Sequence, residues 1–293
     1  MKRSPALLSL ALLTVSHAQS VLNVATGAEG GTYATMFKNM GQVCTSASWL
    51  RERHTGGSVD NVDLLLSNQV SLGFVQVDVL KAREQIDGDP RTKEVRALIP
   101  LHAEEVHVLA LKPTRSSGLF GLGAKTVGAT KFSDLAGKRV GAWGGSVVTA
   151  RVLSAQGGVK YSVVSFPNRE AALAALNGKQ IEAVLAVVGQ PADWVKALDP
   201  NKYNLLPIDN AGKLPSFYAP AKLIYTSFGD AVPTVSVQSI LATRNFKGAD
   251  KRQQLLDYRK CLIGKLTDLQ ENEGMHPKWQ EVNFDKYPWP EYK

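Results

Sequence analysis

The segment from Thr55 to Asp78 contains residue types that could hold a small anion. It opens with Gly56-Gly57-Ser58 and closes with an apolar run, Leu72–Val75, which is followed by Gln76 and Asp78. The two glycines permit a tight turn, and a serine there suits the N-cap of the next helix. A helix start has free N–H groups and a partial positive charge, so it can bind a carboxylate or a phosphate. Taken alone, the pattern fits an ordinary surface turn better.

A second Gly-Gly-Ser turn before a helix favours anion binding over an ordinary surface turn. Gly144-Gly145-Ser146 lies between a predicted strand at 138–143 and a predicted helix at 147–155. The stretch 112–131 separates the copies; it is rich in glycine, serine and threonine, has no helical period, and is interpreted as a loop. Strands and helices alternate along the chain, which predicts an α/β fold with mostly parallel sheets. Two lobes whose helix starts face each other across a cleft would enclose an anion.

This repetition predicts how the chain divides into lobes. Residues 19–111 together with 232–293 are expected to form lobe one, and residues 112–231 lobe two. The β-branched run 234–244 and a helix over 249–271 would return to pack on lobe one. A single continuous sheet through Gly57 and Gly145 would contradict this division into two lobes.

The first residues predict export to the periplasm. Lys2 and Arg3 precede the apolar stretch 6–15, which is followed by Ser16-His17-Ala18. This is the pattern of a signal peptide cleaved after Ala18, and the apolar stretch is too short to span a bilayer.

The composition and the charge of the chain indicate which kind of binding partner to expect. The chain has 44% hydrophobic residues, 20% charged residues and a formal net charge of +8, which fits a globular protein. Its basic residues are scattered and form no basic-aromatic stripe, so nucleic acid is not an expected partner. A diffuse positive field instead favours anionic solutes.

Two cysteines, Cys44 and Cys261, are present. An even pair in an oxidising compartment predicts a disulfide. Each cysteine also lies on an apolar helical stripe, so two separate buried thiols are the alternative.

Signatures of catalysis are missing. His102 and His107 flank Glu104 and Glu105, but the spacing is not H-E-x-x-H, and on a strand the two rings would point to opposite faces. We therefore expect partly exposed strand polar groups there and no metal site. The sequence contains neither G-x-S-x-G nor S-x-x-K. No enzyme activity and no cofactor are expected.

Six short motifs follow one another along the chain. In order, they are Thr26–Tyr33 (TGAEGGTY), Thr55–Asn61 (TGGSVDN), Leu72–Asp78 (LGFVQVD), Gly144–Arg151 (GGSVVTAR), Val187–Pro191 (VVGQP) and Ala231–Thr234 (AVPT). Together they resemble the TAXI proteins, which are the extracytoplasmic binding proteins of TRAP transporters, and the resemblance covers nearly all of the chain after residue 18. It implies a two-lobed α/β periplasmic-binding-protein fold with a ligand cleft between the lobes.

The resemblance also implies a set of ligand-binding residues. Three positions depart from the family pattern. Glu29 replaces a small or hydroxyl residue, Ala34-Thr35 stand where Tyr-Pro is common, and Val147-Val148 replace a frequent Thr-Glu. The loss of this last polar pair suggests a ligand with a more apolar end there, or one with fewer hydrogen-bonding groups. The implied ligand residues are Glu29, Tyr33, Ser58, Gln76, Asp78, Gly145, Ser146, Val147, Val148 and Pro191.

The function implied by the resemblance is capture of a small organic acid or amino acid, dicarboxylate or glutamate-like. The expected partners are that ligand and the subunits of a TRAP membrane permease, and the protein is expected to be a monomer. A binding protein of an ABC-type uptake system or of a sensor is the alternative in the same fold. A periplasmic enzyme fits less well because no nucleophile, base or metal site is visible.

Overall fold

A computed structural model describes residues 20–116 and 125–293 of the chain. The predicted signal segment, residues 1–18, lies outside the described residues. The strands of the described part are β1 (Leu22–Ala25), β2 (Leu50–Arg53), β3 (Leu72–Gln76), β4 (Val95–Leu111), β5 (Thr114–Ser116), β6 (Lys125–Val127), β7 (Arg139–Trp143), β8 (Ser162–Phe166), β9 (Ala183–Val188), β10 (Tyr203–Leu205), β11 (Tyr218–Leu223) and β12 (Val232–Arg244).

The α-helices lie largely where the 3.6-residue period predicts them. The predicted helix over 249–271 is two helices, which are separated at Lys265. The helices are α1 (Thr32–Val43), α2 (Ser58–Leu66), α3 (Val77–Gln85), α4 (Ser146–Gln156), α5 (Arg169–Asn177), α6 (Asp193–Lys196), α7 (Ala249–Gly264) and α8 (Leu266–Glu271).

Within the described residues, ten strands form one mixed sheet in the order β2-β1-β3-β12-β4-β9-β7-β8, with β10 on β4 and β11 on β12. The pairs at the two ends of this order, β2-β1-β3 and β9-β7-β8, are parallel. The central pairs of β12 with β3 and β4, and of β4 with β9, are antiparallel. The prediction of parallel strands is therefore correct at both ends and wrong at the centre. The remaining two strands, β5 and β6, form an antiparallel ribbon inside the stretch predicted as a loop.

The long strand β4 joins the two halves of the sheet. Two apolar runs in the sequence, 95–101 and 106–111, belong to this one strand of 17 residues. Its first part pairs with β12 and its last part with β9, so β2 and β7, which lead to Gly57 and Gly145, share a sheet. The sheet is therefore continuous through both turns, which meets the condition stated above against two lobes. That condition is wrong, because a strand that crosses from one half to the other joins the sheets of two lobes without removing the lobes. The predicted boundaries of the lobes, at 111/112 and 231/232, coincide with the end of β4 and the start of β12, and the division itself stays a prediction.

The directions of the strands bring the ends of two elements to the middle of β4. Strand β3 ends at Gln76, which pairs with Ser239 of β12. The residue before Ser239, Gln238, pairs with Ala103 of β4, so the end of β3 lies beside the middle of β4. The end of β9 reaches β4 from the other side, where Val188 pairs with Glu105. The carboxyl ends of the two parallel units therefore meet beside residues 101–105. In open α/β sheets, this edge is where ligands bind.

The C-terminal part of the chain packs back on the first helix. Met36 and Met40 of α1 share an apolar cluster with Tyr258 of α7 and with Trp279. A disulfide between Cys44 and Cys261 joins the end of α1 to α7, with 6.0 Å between the Cα atoms. Burial of these side chains and the covalent bond hold the C-terminal helices against the sheet.

We predict that removing this disulfide lowers the free energy of unfolding by several kcal/mol. The bond closes a loop with a sequence separation of 217 residues, for which the chain-entropy model gives about 5 kcal/mol. The measurement is urea unfolding of the wild type and of a Cys44→Ala, Cys261→Ala double variant, with and without a reductant. The reductant should lower the midpoint of the wild type only. Full alkylation of both thiols in unreduced, unfolded protein would contradict the bond.

Candidate functional site

The two Gly-Gly-Ser turns lie directly against each other. A Cβ atom added to Gly144, which has φ +49°, would collide with the carbonyl oxygen of Gly56. A Cβ atom added to Gly145 would lie 2.8 Å from Oε1 of Gln76 and 3.2 Å from Cβ of Ser58. A side chain at either position would therefore force the neighbouring atoms to shift. Glycine is therefore needed at both positions of the second turn for this close approach.

A small cleft of about 140 Å³ lies where the turns meet. This volume is below the range of about 300–1,000 Å³ that is usual for drug-sized ligands, so the cleft suits a small metabolite. Five residues implied by the family resemblance line it, together with ten others. The lining residues are Gly27, Ala28, Gly31, Thr32, Tyr33, Gly56, Gly57, Ser58, Gln76, Glu104, Trp143, Gly145, Ser146, Val187 and Val188.

The two serines are the first residues of their helices and do not cap them. Helix α2 begins at Ser58 after Gly57, helix α4 begins at Ser146 after Gly145, and neither helix has a side-chain cap. The expectation that the hydroxyls cap the helices is therefore wrong. Each hydroxyl instead accepts from the N–H at the end of a strand, because the side chain of the first helical residue points toward that strand. The donors are Gln76 N–H for Ser58, at 3.1 Å, and Val187 N–H for Ser146, at 3.0 Å.

The helix starts still present free donors to the cleft. No acceptor for the backbone N–H of Ser58 or Ser146 is found among residues 20–116 and 125–293. Both residues are buried and line the cleft. Because helix starts also have a partial positive charge, the two N–H groups can together hold a carboxylate.

A chain of polar side chains connects the first helix start to the middle of β4. The hydroxyl of Tyr33 lies 3.4 Å from Oγ of Ser58, and the Nε2 group of Gln76 donates to Oε2 of Glu104. Oε1 of Gln76 has no partner within the described part of the chain. Burial, followed by the charge of Glu104, raises the pKa of Tyr33 well above its ordinary value, so this phenol stays protonated and can donate.

Glu104 is a cleft residue that sequence reasoning missed. The polar groups in the His102–His107 segment were expected to be partly exposed, yet His102, Glu104, Glu105 and His107 are all buried. They are buried because the carboxyl ends of β3 and β9 converge on this part of β4. The sequence does contain a signal for this site, because four titratable residues interrupt an otherwise apolar run of strand length. Buried charges are rare unless they are paired or functional, so such a cluster indicates a candidate site.

The alternation of β4 separates these four residues into two pairs. On one face, Nε2 of His102 lies 3.3 Å from Oε1 of Glu104. On the other face, Glu105 pairs with Lys278 at 2.5 Å and accepts from the N–H of Gln190 at 2.9 Å. Burial lowers the pKa of His107 to about 4. The neutral ring forms hydrogen bonds with the Glu105 carbonyl oxygen and with the hydroxyl of Tyr225. Glu105 and His107 therefore fix the segment that follows β9, and neither side chain lines the cleft.

Asp78 does not line the cleft. Its Oδ2 atom accepts from the hydroxyls of Thr149, at 2.6 Å, and Tyr218, at 2.8 Å. Thr149 lies on α4, so the carboxylate links α3 to a helix of the predicted second lobe. Burial raises the pKa of Asp78 to about 6, although the hydrogen bonds from the two hydroxyls oppose this shift. Asp78 therefore stabilises the contact between the helices and is not positioned to orient a ligand.

Four other expected ligand residues also lie away from the cleft. Glu29 and Pro191 are exposed, Val147 packs in the core and Val148 is partly buried against it. The apolar walls of the cleft come instead from Trp143, Val187 and Val188. The side chains of Val147 and Val148 lie on other faces of α4 because only the first residue of this helix points into the cleft.

Residues 20–116 and 125–293 contain no helix that is long and apolar enough to cross a membrane. No group of three or more His, Cys, Asp or Glu side chains that could hold a metal ion is found there either.

We predict that Asp78 makes stability depend on pH between about 4 and 6. Its pKa in the folded protein, about 6, lies above its ordinary value of 3.8. The folded state therefore binds more protons, and the contribution of this group is fully present below pH 4 and is lost as the pH rises through 6. The full change is about 3 kcal/mol.

The matched control is Asp78→Asn, which removes the titration and keeps an acceptor for Thr149 and Tyr218. Urea unfolding of both proteins from pH 4 to pH 7 gives the difference in stability at each pH. The wild type should lose stability relative to the variant as the pH rises. A difference that is constant across this range would contradict the raised pKa.

Solved structures share the architecture of this chain. An arginine-transport periplasmic binding protein from Legionella pneumophila matches with a TM-score of 0.50 and 16% identity, over 86% of this chain and 95% of that one. An ancestral arginine-binding protein matches with a TM-score of 0.52 and 13% identity, over 85% and 94%. The ligand-binding core of GluR0 in complex with L-glutamate matches with a TM-score of 0.51 and 13% identity, over 92% and 100%. The likeness establishes the fold, which is the two-lobed α/β fold of periplasmic binding proteins.

Sequence comparison provides the family. No curated protein matches the chain significantly. A family model described as the NMT1-like family matches residues 24–255, which include both Gly-Gly-Ser turns, the polar segment of β4 and every residue that lines the cleft. The chain belongs to the NMT1-like family.

Proposed function

We propose that this protein is an extracytoplasmic solute-binding protein that closes its two lobes on a small ligand with a carboxylate. The observation that carries the proposal is the meeting of two helix starts, at Ser58 and Ser146, in one buried cleft. The N–H groups of both residues have no acceptor in the described ranges, and no Lys or Arg is among the lining residues described. Helix starts are then the available binding sites for an anion.

The position of these donors explains how a ligand would drive closure. Ser58 belongs to the predicted first lobe and Ser146 to the predicted second lobe, and the turns that carry them touch through Gly56 and Gly144. A carboxylate between them interacts with both lobes only when they are close. Such a ligand therefore has a higher affinity for the closed state, which is the condition for ligand-driven closure.

We further propose that the protein delivers its ligand to a TRAP membrane permease. The support is the order of motifs that resembles TAXI proteins, above all TGGSV followed by LGFVQ. An ABC-type uptake system is the second candidate, because one structurally similar protein is the substrate binding protein of an amino acid ABC transporter. The fold alone does not separate the two, and the genes beside this one would.

Export of the mature protein belongs to the same proposal. The pattern of residues 1–18, which is typical of a signal peptide, supports it. The bond between Cys44 and Cys261 supports it as well, because disulfides persist in oxidising compartments. A role in binding rather than catalysis is supported by the absence of hydrolase motifs in the sequence.

A thermal-shift screen of organic acids and amino acids tests the proposal. A ligand at about a hundred times its Kd should stabilise the protein by about 2.7 kcal/mol. This corresponds to a rise in Tm of about 5–10 °C for a chain of this size. A neutral sugar as the best compound, or no stabilising compound in either class, would contradict the proposal.

A pair of variants at Ser58 isolates the contribution of the helix start. Ser58→Ala removes the hydroxyl and keeps the N–H group, whereas Ser58→Pro removes both, and proline is well tolerated at the first position of a helix. A hydrogen bond to a charged group is worth about 1.5–3 kcal/mol, so the proline variant should bind the best compound about 10- to 100-fold more weakly than the alanine variant. Titration calorimetry measures both Kd values. Equal Kd values would mean that this N–H group does not hold the ligand.

The contact between the two turns gives an independent prediction. Gly144→Ala places a Cβ atom against the carbonyl oxygen of Gly56, so the lobes cannot approach as closely and the ligand should bind at least about tenfold more weakly. Gly212→Ala is the matched control, since nothing lies within 4 Å of its added Cβ atom. An affinity that is unchanged in Gly144→Ala would show that binding does not require this approach.

A further inference from the structure

We infer that Glu104 and Gln76 form a subsite for a protonated amine, so that the ligand is an α-amino acid and not a dicarboxylate. This inference rests on the proposed function and specifies its ligand. It concerns the floor of the cleft, where the end of β3 meets the middle of β4, and Glu104 is not among the residues that the family resemblance implies.

The floor of the cleft presents acceptors. Glu104 is 3% exposed and Gln76 is 4% exposed, and both line the cleft. The Gln76 amide donates through Nε2 to Glu104, and this bond turns Oε1 away from the carboxylate. Oε1 has no partner in the described ranges, and a Cβ on Gly145 would lie 2.8 Å from it. A ligand that satisfies this floor must bring N–H donors.

The negative charge of the Glu104 carboxylate favours a cationic group in the ligand. A buried carboxylate without a cation is costly, and neither Lys nor Arg is among the cleft residues described. The nearby Lys278 is paired with Glu105 and Glu281 on the other face of β4. Nε2 of His102 lies 3.3 Å from Glu104 but makes no hydrogen bond within the described part of the chain. A ligand ammonium would supply the missing charge, whereas a second carboxylate would be repelled.

Donors and acceptors lie side by side in the cleft. The contact between Gly145 and Oε1 of Gln76 places the second helix start next to the acceptor floor. An α-amino acid carries its carboxylate and its ammonium on one carbon atom, so it matches both sets of groups in this arrangement. Its side chain would then face the apolar wall formed by Trp143, Val187 and Val188.

The test compares compounds that differ only in the amine. The twenty L-amino acids are screened with the wild type, and the best one is compared with its 2-hydroxy acid and with succinate and malate. The comparison is repeated with Glu104→Gln, which keeps an acceptor and removes the charge. Glu170→Gln is the control for charge, because this exposed carboxylate lies on α5 outside the cleft.

The wild type should bind the amino acid at least about 100-fold more tightly than its 2-hydroxy analogue, because a site built for a charged donor rejects a ligand that lacks it. Glu104→Gln should reduce this ratio to about ten or less, and Glu170→Gln should leave it unchanged. An unchanged ratio in Glu104→Gln would overturn the assignment. If that variant does not fold, the comparison in the wild type decides.

Equal binding of the 2-hydroxy acid or of a dicarboxylate by the wild type would overturn the amine subsite. The proposed function would stand in that case, because a small acid is still bound. If no compound of either class raises the Tm, the proposed function fails as well.

Discussion

The location of the cleft depends on the middle of strand β4, which shares its hydrogen bonds with both halves of the sheet. The strand pairs with β12 along its first part and with β9 along its last part. The pair of β12 with β3 is antiparallel as well, so three antiparallel pairs separate the parallel units at the two ends, and these units run in opposite directions. Their carboxyl ends, with the helix starts that follow them, therefore point at one another across residues 101–105. One long strand thus places two anion-binding helix starts at the same point.

This arrangement explains why polar residues occupy the centre of a buried strand. The cleft interrupts the apolar packing there, so the two faces of β4 meet different surroundings. On one face, Glu105 is paired with Lys278 and helps hold the chain after β9. On the other face, Glu104 opens to the cleft and is bonded by Gln76. A buried ion pair of the first kind contributes little net stability but is strongly destabilising when one partner is removed, whereas a carboxylate of the second kind is suited to a ligand.

The contact between the lobes also depends on glycine residues at the two turns. Gly56, Gly144 and Gly145 bring backbone against backbone, and Asp78 reinforces the approach by accepting from Thr149 and Tyr218. Sequence reasoning recognised the two Gly-Gly-Ser turns from local chemistry but assigned Asp78 to the ligand. The side chain of Asp78 points toward α4 because it follows the end of β3 by two residues and lies in the first turn of α3. A difference of one or two positions along a helix start is enough to change which surface a side chain meets.

Local and compositional signals in the chain predict the α/β class, the helices that begin at the glycine turns and the pairing candidates Cys44 and Cys261, because turns, helical periods and cysteine counts do not depend on distant contacts. The family resemblance adds five of the residues that line the cleft. Three features became visible only in the folded chain: the two apolar runs of β4 are one strand, the sheet is continuous, and Glu104 belongs to the cleft. These features arise from hydrogen bonds between strands that are far apart in the chain. Strand pairing of this kind leaves no mark in the local pattern, because a strand that spans two lobes has the same alternation as two shorter strands.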